Sequence, residues 1–482
     1  MKRTVIAILL VMALTTGCGQ TAVPVAEHKT EYGAGSSTTE ALSESEKIVD
    51  EKLARMKLEA DAMYPSTVSY GIIDWGEKAT VHEELYDFCK ALPKGGDLHI
   101  HDEKVIPVSR YIKVLKDYGK VYIVLDEGPQ YGYLYVKDIP DNAVPLNKAL
   151  LEGSLTEEEL QEILVMSEKD VPNGRWISFE NLFSRVMNLY NDRNLMEKLY
   201  EEGFRSCCEN KVYLVELRVI LFGDDADNEE TFKMIRRAYY NVRDEYPEFT
   251  VRIIGVSGKN DFFDKEYAIE ILRSVIRIKN QVRDEYDPEH PEDFIIGLDL
   301  VNEEDASKPL CEYKDFFESE EVASSGLKLF LHAGESLRMD NSNVIDAYMI
   351  GVSRVGHGFN LYRYPELMKK YREKNIAIEV CPISNYRLGY VSDLRLHPGF
   401  TYMQYGIPVV ICSDDGLFLT AAPLTDDFYS VILAWDLDIA EIKELCKNAV
   451  RYGSLSEERE KTLMDKWEVD WDEFIRAYAT SD

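Results

Sequence analysis

Eight short, β-branched apolar runs recur between residues 97 and 415, most of them separated by long polar stretches with helical periodicity. They are DLHIHD (97–102), VYLVELRVI (212–220), TVRIIGVSG (250–258), FIIGLDLV (294–301), LKLFLHAGE (327–335), SRVGHGF (353–359), IAIEVCP (376–382) and PVVICSDD (408–415). Strands apolar on both faces and alternating with helices belong to parallel sheets, whose crossover helices cover both sides. Eight such units predict an α/β fold, a (β/α)8 TIM barrel over about residues 90–455. An open, doubly wound sheet is the alternative, but no glycine-rich phosphate loop follows the first run.

The remaining segments attach to that frame. Residues 48–63 carry apolar positions at helical spacing and stop before Pro65, which predicts an N-terminal helix on the flank of the barrel. An insertion is expected after strand one, over residues 103–175. In it, VYIVLD and YGYLYV flank EGPQ as a hairpin, and Thr156 followed by Glu159 reads as a helix N-cap. Residues 175–190 form a further amphipathic helix. Lys94, Gly95 and Gly96 shape the start of strand one, and Glu216 is expected to pair with Arg218.

The first eighteen residues read as a targeting segment. Lys2 and Arg3 are followed by an apolar stretch from Val5 to Leu14, too short to span a bilayer, and then by Thr15, Thr16, Gly17 and Cys18. This resembles a bacterial lipobox: residues 1–17 as signal peptide, Cys18 as the lipidated residue, and residues 18–45 as a Ser/Thr/Gly-rich tether. The folded body is then residues 46–482, held outside the cytoplasm, with membrane contact only through the lipid anchor. A formal charge of −32 argues against nucleic acid as a partner. Seven cysteines beyond Cys18, with no C-x-x-C pair, do not make a disulfide scaffold.

Chemistry gathers where the runs end. His99 and His101, His332 and Glu335, His357, and Asp414 and Asp415 all lie at or just past the C-terminal end of a run. In a closed barrel those ends form one mouth, where barrel active sites sit. Alternation along a strand turns His99 and His101 to the same face and Leu98 and Ile100 to the other. Alone, that pair fits a polar edge strand as well as a metal. Four of the chain's eight histidines at strand ends favour the metal, because solvated surface positions would scatter them. Zinc accepts imidazole nitrogen and carboxylate oxygen and, in catalytic sites, keeps one position open for water. Strand four reads GLDLVNEED, without the lysine that bridges two metals in binuclear barrels, so one metal per chain is expected. The H-x-E…P-C-x-x-C pattern of cytidine-type deaminases is absent.

PKGGDLHIHD, LHAGES, RVGHGF, EVCPISN and ICSDD together resemble the ordered motif set of the adenosine deaminase family. PKGG before H-x-H, Asp102 after it, and W-x-x-F at Trp176 and Phe179 are most similar to its secreted growth-factor branch. The resemblance implies one Zn2+ bound by His99, His101, His332 and Asp414, which would lower the pKa of its water towards neutrality. It further implies that His357 and Asp414 orient the resulting hydroxide, with His357 helping to take its proton. Glu335 would protonate purine N1 and Asp415 would hold N7; without the flanking motifs they would read as a surface carboxylate and a helix N-cap. Asn302 stands where the family has a glycine whose N–H meets N3. Trp176 walls the ribose side or fills a helix core, and Glu180 reaches a sugar hydroxyl. His397 is expected to be structural.

The function expected is hydrolysis of adenosine and 2′-deoxyadenosine to inosine and 2′-deoxyinosine plus ammonia. A related zinc barrel deaminase acting on another purine or a modified nucleoside is the alternative that Asn302 raises. A non-catalytic nucleoside-binding lipoprotein is the alternative from another class. The oligomeric state, a homodimer included, stays open.

Overall fold

Each of the eight apolar runs forms a parallel strand in the computed structural model, which describes residues 41–63, 81–166, 174–259 and 264–481. The expected signal peptide, Cys18 and the tether as far as residue 40 lie outside the described residues. Helices α1 (Glu44–Met63) and α2 (Glu83–Ala91) precede the first strand, β1 (Gly95–His101). A small antiparallel sheet follows, with β2 (Tyr122–Val124) between β3 (Leu134–Tyr135) and β4 (Ala143–Pro145). The expected hairpin is therefore present as β2 and β3, extended by one more strand. Thr156 closes a capping box with Glu159 at the helix Glu157–Leu164. Helices α3 (Arg175–Val186) and α4 (Arg193–Glu209) lead back to the barrel.

The rest of the barrel is β5 (Val212–Ile220), β6 (Thr250–Gly258), β7 (Ile295–Val301), β8 (Lys328–Ala333), β9 (Arg354–His357), β10 (Ala377–Val380) and β11 (Val409–Ile411). Spatial order follows chain order, β1-β5-β6-β7-β8-β9-β10-β11. Closure is made by a site residue: Asp414 N donates to His99 O at 2.9 Å, and His101 N donates to Asp414 O at 3.3 Å. The last strand thus hands the chain to the first at the mouth itself.

Two helices, α5 (Ile439–Arg451) and α6 (Glu457–Thr480), complete the outer layer and hold α1. Trp467 and Trp471 are buried there, their indole N–H groups donating to Pro93 O (2.7 Å) and Glu46 Oε1 (3.0 Å). The start of β1 is tightly specified. Gly95 has φ +82°, and a Cβ on it would lie 2.4 Å from Cys446 O, so only glycine fits. Buried Lys94 donates to the carbonyls of Lys90, Leu92 and Asn210 at 3.0–3.3 Å, closing the C-terminal end of α2.

The barrel interior differs from the continuous apolar filling that the runs suggest. Glu216, Arg218, Asp299, Arg354 and Glu379 are all buried inside it. The expected pairing of Glu216 with Arg218 does not occur. Residues two apart on a strand point the same way but stand a full repeat apart, so each reaches across the barrel instead. Arg218 bonds Asp299 (2.8 Å) and Glu379 (2.6 Å), while Arg354 bonds Glu379 (2.7 Å) and Glu216.

Candidate active site

Four strand ends bring the sequence-predicted histidines and Asp414 together. His99 and His101 on β1, His332 on β8, and His357 at the end of β9 surround Asp414, which lies just past β11. Ring centroids of His99 and His332 are 4.5 Å apart, and those of His99 and His101 5.3 Å. Asp414 Oδ1 faces His99 Nε2 (3.7 Å) and His101 Nε2 (3.4 Å), whereas Oδ2 faces His357 Nε2 (3.9 Å). Ligand atoms of His99, His332, His357 and Asp414 lie within 4.8 Å of one another, and those of His101, Asp414 and Asp415 form an adjoining group. Holding side chains inward at this density bends the chain. Asp102, Asn302, His357 and Asp414 all have positive φ (41°, 101°, 61° and 57°), each costing on the order of 1–3 kcal/mol that the surrounding fold must offset.

The charged layer beneath sets the imidazoles. His99 Nδ1 donates to Glu379 Oε2 at 2.9 Å, and His332 Nδ1 donates to Asp299 Oδ2 at 2.7 Å. A carboxylate only accepts, so each Nδ1 carries the proton and each Nε2 presents a lone pair. Those two Nε2 atoms face each other at 3.0 Å. Two lone pairs at that separation repel, and a cation between them removes the conflict. Burial holds all four histidines well below the ordinary imidazole range, with the nearby Arg218 reinforcing the effect on each. The donor set is neutral nitrogen plus one carboxylate, which fits zinc.

Above the imidazoles lies a cavity of about 560 Å³, bounded by Glu335, Asp415, Trp176, Asn302, Phe183 and Phe222 among others. Burial, with Asp414 and Glu304 adding like charge, drives Glu335 well above the ordinary carboxylate range. Burial and neighbouring Asp414 do the same to Asp415. Glu335 Oε1 and Asp415 Oδ1 are buried and have no hydrogen-bond partner. Orphaned carboxyl oxygens beside a cavity are groups waiting for a ligand. Asp415 precedes the short helix Gly416–Leu419 but its side chain makes no capping bond, so the N-cap reading is set aside.

The other expected positions divide. Trp176 lines the cavity on α3, its indole N–H donating to Tyr390 OH at 2.8 Å, rather than filling a helix core. Glu180 is exposed at the cavity's rim. Asn302 takes a backbone conformation that glycine adopts readily, and its Oδ1 accepts from Lys259 N at 3.1 Å. That bond engages the side chain with the backbone after β6. His397 is buried, as a structural role requires, but it also bonds Asn385, which in turn bonds His357. Sequence reasoning missed Glu379, Asp299 and Asn385 as parts of the site. For Glu379 and Asp299 the available signal was a charged residue at an inward position of an apolar run; Asn385, on the short helix Pro382–Arg387, gave no such signal.

A family model described as adenosine deaminase matches residues 153–470. "Adenosine deaminase 2" of Dictyostelium discoideum is 28% identical over 444 residues, covering 85% of this chain and 78% of that protein. An adenine deaminase from Arthrobacter aurescens superposes with a TM-score of 0.58 at 18% identity, over 79% of this chain and 99% of that one. An amidohydrolase from Burkholderia ambifaria, solved with bound Zn, superposes with a TM-score of 0.59 at 15% identity, over 82% and 95% of the two chains. With eight parallel strands closed around facing imidazoles and unpartnered acids, this chain belongs to the adenosine deaminase family and is an aminohydrolase of the adenosine deaminase type.

Proposed function

We propose that the chain is a zinc-dependent purine nucleoside deaminase, converting adenosine and 2′-deoxyadenosine to the inosine forms outside the cytoplasm. The observation that carries this is the pair of facing, deprotonated imidazole nitrogens beneath a cavity that also holds two orphaned carboxyl oxygens. One zinc would be held by His99, His101, His332 and Asp414. When bound it lowers the pKa of a water and so supplies the nucleophile at neutral pH.

The chain's own residues do the rest. Glu335, kept protonated by burial and by Asp414, gives its proton to purine N1, which makes C6 electrophilic. Asp414 Oδ2, turned away from His99 and His101, takes a proton from the attacking water as the O–C6 bond forms. That proton then passes to the amino group, the C6–N bond breaks, and ammonia leaves. The hydroxyl proton of the adduct returns to Glu335 as the C6 carbonyl forms, so the acid is restored and inosine keeps its proton on N1. Asp415 Oδ1 faces N7, and Trp176 covers the ribose side with Glu180 at the rim.

The "Adenosine deaminase 2" similarity favours adenosine over adenine as the substrate class, and the zinc-bound neighbour supports the choice of metal. Among the described residues no helix is long and apolar enough to cross a membrane; Cys18 is the residue that would carry a lipid anchor. Ammonia release from a panel of adenosine, 2′-deoxyadenosine, adenine and AMP tests the reading. The two nucleosides should be turned over well above the others; a clear preference for adenine or AMP would move the function elsewhere in the family.

A further inference from the structure

His357 has a hydrogen-bonded chain behind it whose direction is fixed at one end. Gly399 N, a backbone amide that can only donate, lies 3.0 Å from His397 Nδ1. His397 Nδ1 must therefore hold a lone pair, and a neutral imidazole then carries its proton on Nε2. Burial keeps His397 neutral, drawing its pKa down to about 3, and its ring is wedged beside Phe359 and Trp435. His397 Nε2 is 3.0 Å from Asn385 Oδ1, so it donates there. Asn385 has only its amide nitrogen left, and that lies 3.2 Å from His357 Nδ1. The amide donates, so His357 Nδ1 must accept. Turning the Asn385 amide over would set its N–H groups against the His397 N–H, and the backbone donor at Gly399 prevents His397 from yielding. The proton of neutral His357 is thus confined to Nε2, the atom facing Asp414 Oδ2 at 3.9 Å.

We infer that Asn385 and His397 are positioning residues that lock His357 as an Nε2–H donor, so that it offers a hydrogen bond to the oxygen attacking C6 and does not take that oxygen's proton. On this reading His357 does not take the proton that the sequence expectation gave it. It also separates His357 from the metal ligands despite its place in the same cluster of donor atoms, because a protonated nitrogen has no lone pair to give. His99 and His332 are fixed in the opposite sense by Glu379 and Asp299, so the site sorts its imidazoles through the partner behind each ring. The role rests on the deaminase reading, but the tautomer does not.

Nitrogen-15 spectra of histidine-labelled, zinc-loaded protein read the tautomer directly, with His357→Gln used to assign the His357 signals. The expected result is a protonated Nε2 and a bare Nδ1 for His357 in the wild-type chain. A protonated Nδ1, whether bonded to Glu335 Oε1 at 3.5 Å or to Asn385 Oδ1, overturns the inference. Asn385→Asp places an acceptor against His357 Nδ1 and should move the proton there. It should then lower kcat about 10²–10⁴-fold, with KM and zinc content close to wild type. A shifted tautomer with unchanged kcat also overturns it. Because the spectrum needs no substrate, a protein that fails to deaminate adenosine but shows the Nε2–H form would refute the proposed substrate and leave the tautomer standing.

Discussion

Glu379→Gln replaces one carboxylate oxygen by an amide nitrogen, and the surroundings leave that nitrogen nowhere to go. Oε2 of Glu379 accepts from Arg218 (2.6 Å) and His99 Nδ1 (2.9 Å), and Oε1 accepts from Arg354 (2.7 Å). If the amide nitrogen of Gln turns towards Arg354, donor meets donor and one charge-assisted bond is lost, about 1.5–3 kcal/mol of stability. If it turns towards His99, it donates to Nδ1, pushes the proton to Nε2 and removes that lone pair from the metal site. Second-shell losses of this kind typically weaken metal binding 10–100-fold, about 1.4–2.7 kcal/mol. Denaturant unfolding of the metal-free protein reads the first cost, and competition for zinc with a chromophoric chelator reads the second. At least one must move by the stated amount. Unchanged stability together with unchanged zinc affinity would refute the reasoning that Glu379 both anchors the barrel interior and sets the His99 tautomer.

Other perturbations separate the roles around it. Glu335→Gln should retain zinc but lose roughly 10²–10⁴-fold in kcat, measured by ammonia release, since it removes the proton for N1; near-normal turnover would sink that role. His99→Ala should lose metal and activity together, and full zinc occupancy by metal analysis would contradict the ligand assignment. In Gly356→Ala the new Cβ would lie 2.8 Å from His99 Cε1, so zinc affinity should fall and stability drop by about 1–3 kcal/mol in thermal unfolding. Burial lowers the Lys94 pKa to about 8. Between there and the ordinary lysine range the unfolded chain binds the proton and the folded chain does not, so this residue makes stability rise with pH in that window, by about 3 kcal/mol in all. Unfolding of wild type and Lys94→Met from pH 7 to 10 should differ by that trend; parallel pH profiles would contradict it.

Much of this architecture was legible because hydrophobic pattern and strand formation are local. The runs at 212–220 and 250–258 became strands over those same residues, and the hairpin and the Thr156 capping box also formed as read. The clustered histidines were legible because H-x-H alternation and strand-end placement are geometric consequences of one chain segment. What was hidden depends on the closure of the barrel. Glu216 and Arg218 are near neighbours in sequence, yet each finds its partner on a distant strand, because the interior is shared by all eight. Glu379 and Asp299 sit inside apolar motifs and reveal their purpose only when the closed barrel brings β10 near β1 and sets β7 beside β8. Asn302 posed a different difficulty. An asparagine at a glycine position reads as an obstruction until its side chain is seen bonded to Lys259 N.

In the proposed function one metal, seated between the facing imidazoles, supports deamination of a purine nucleoside. Titrating metal-free protein with Zn2+ while following ammonia release from adenosine checks this. Activity should rise linearly to one equivalent of zinc per chain and then stay flat, with a chelator reversing it. Turnover that persists without metal, or zinc bound at one equivalent with no ammonia from adenosine or 2′-deoxyadenosine, would contradict it.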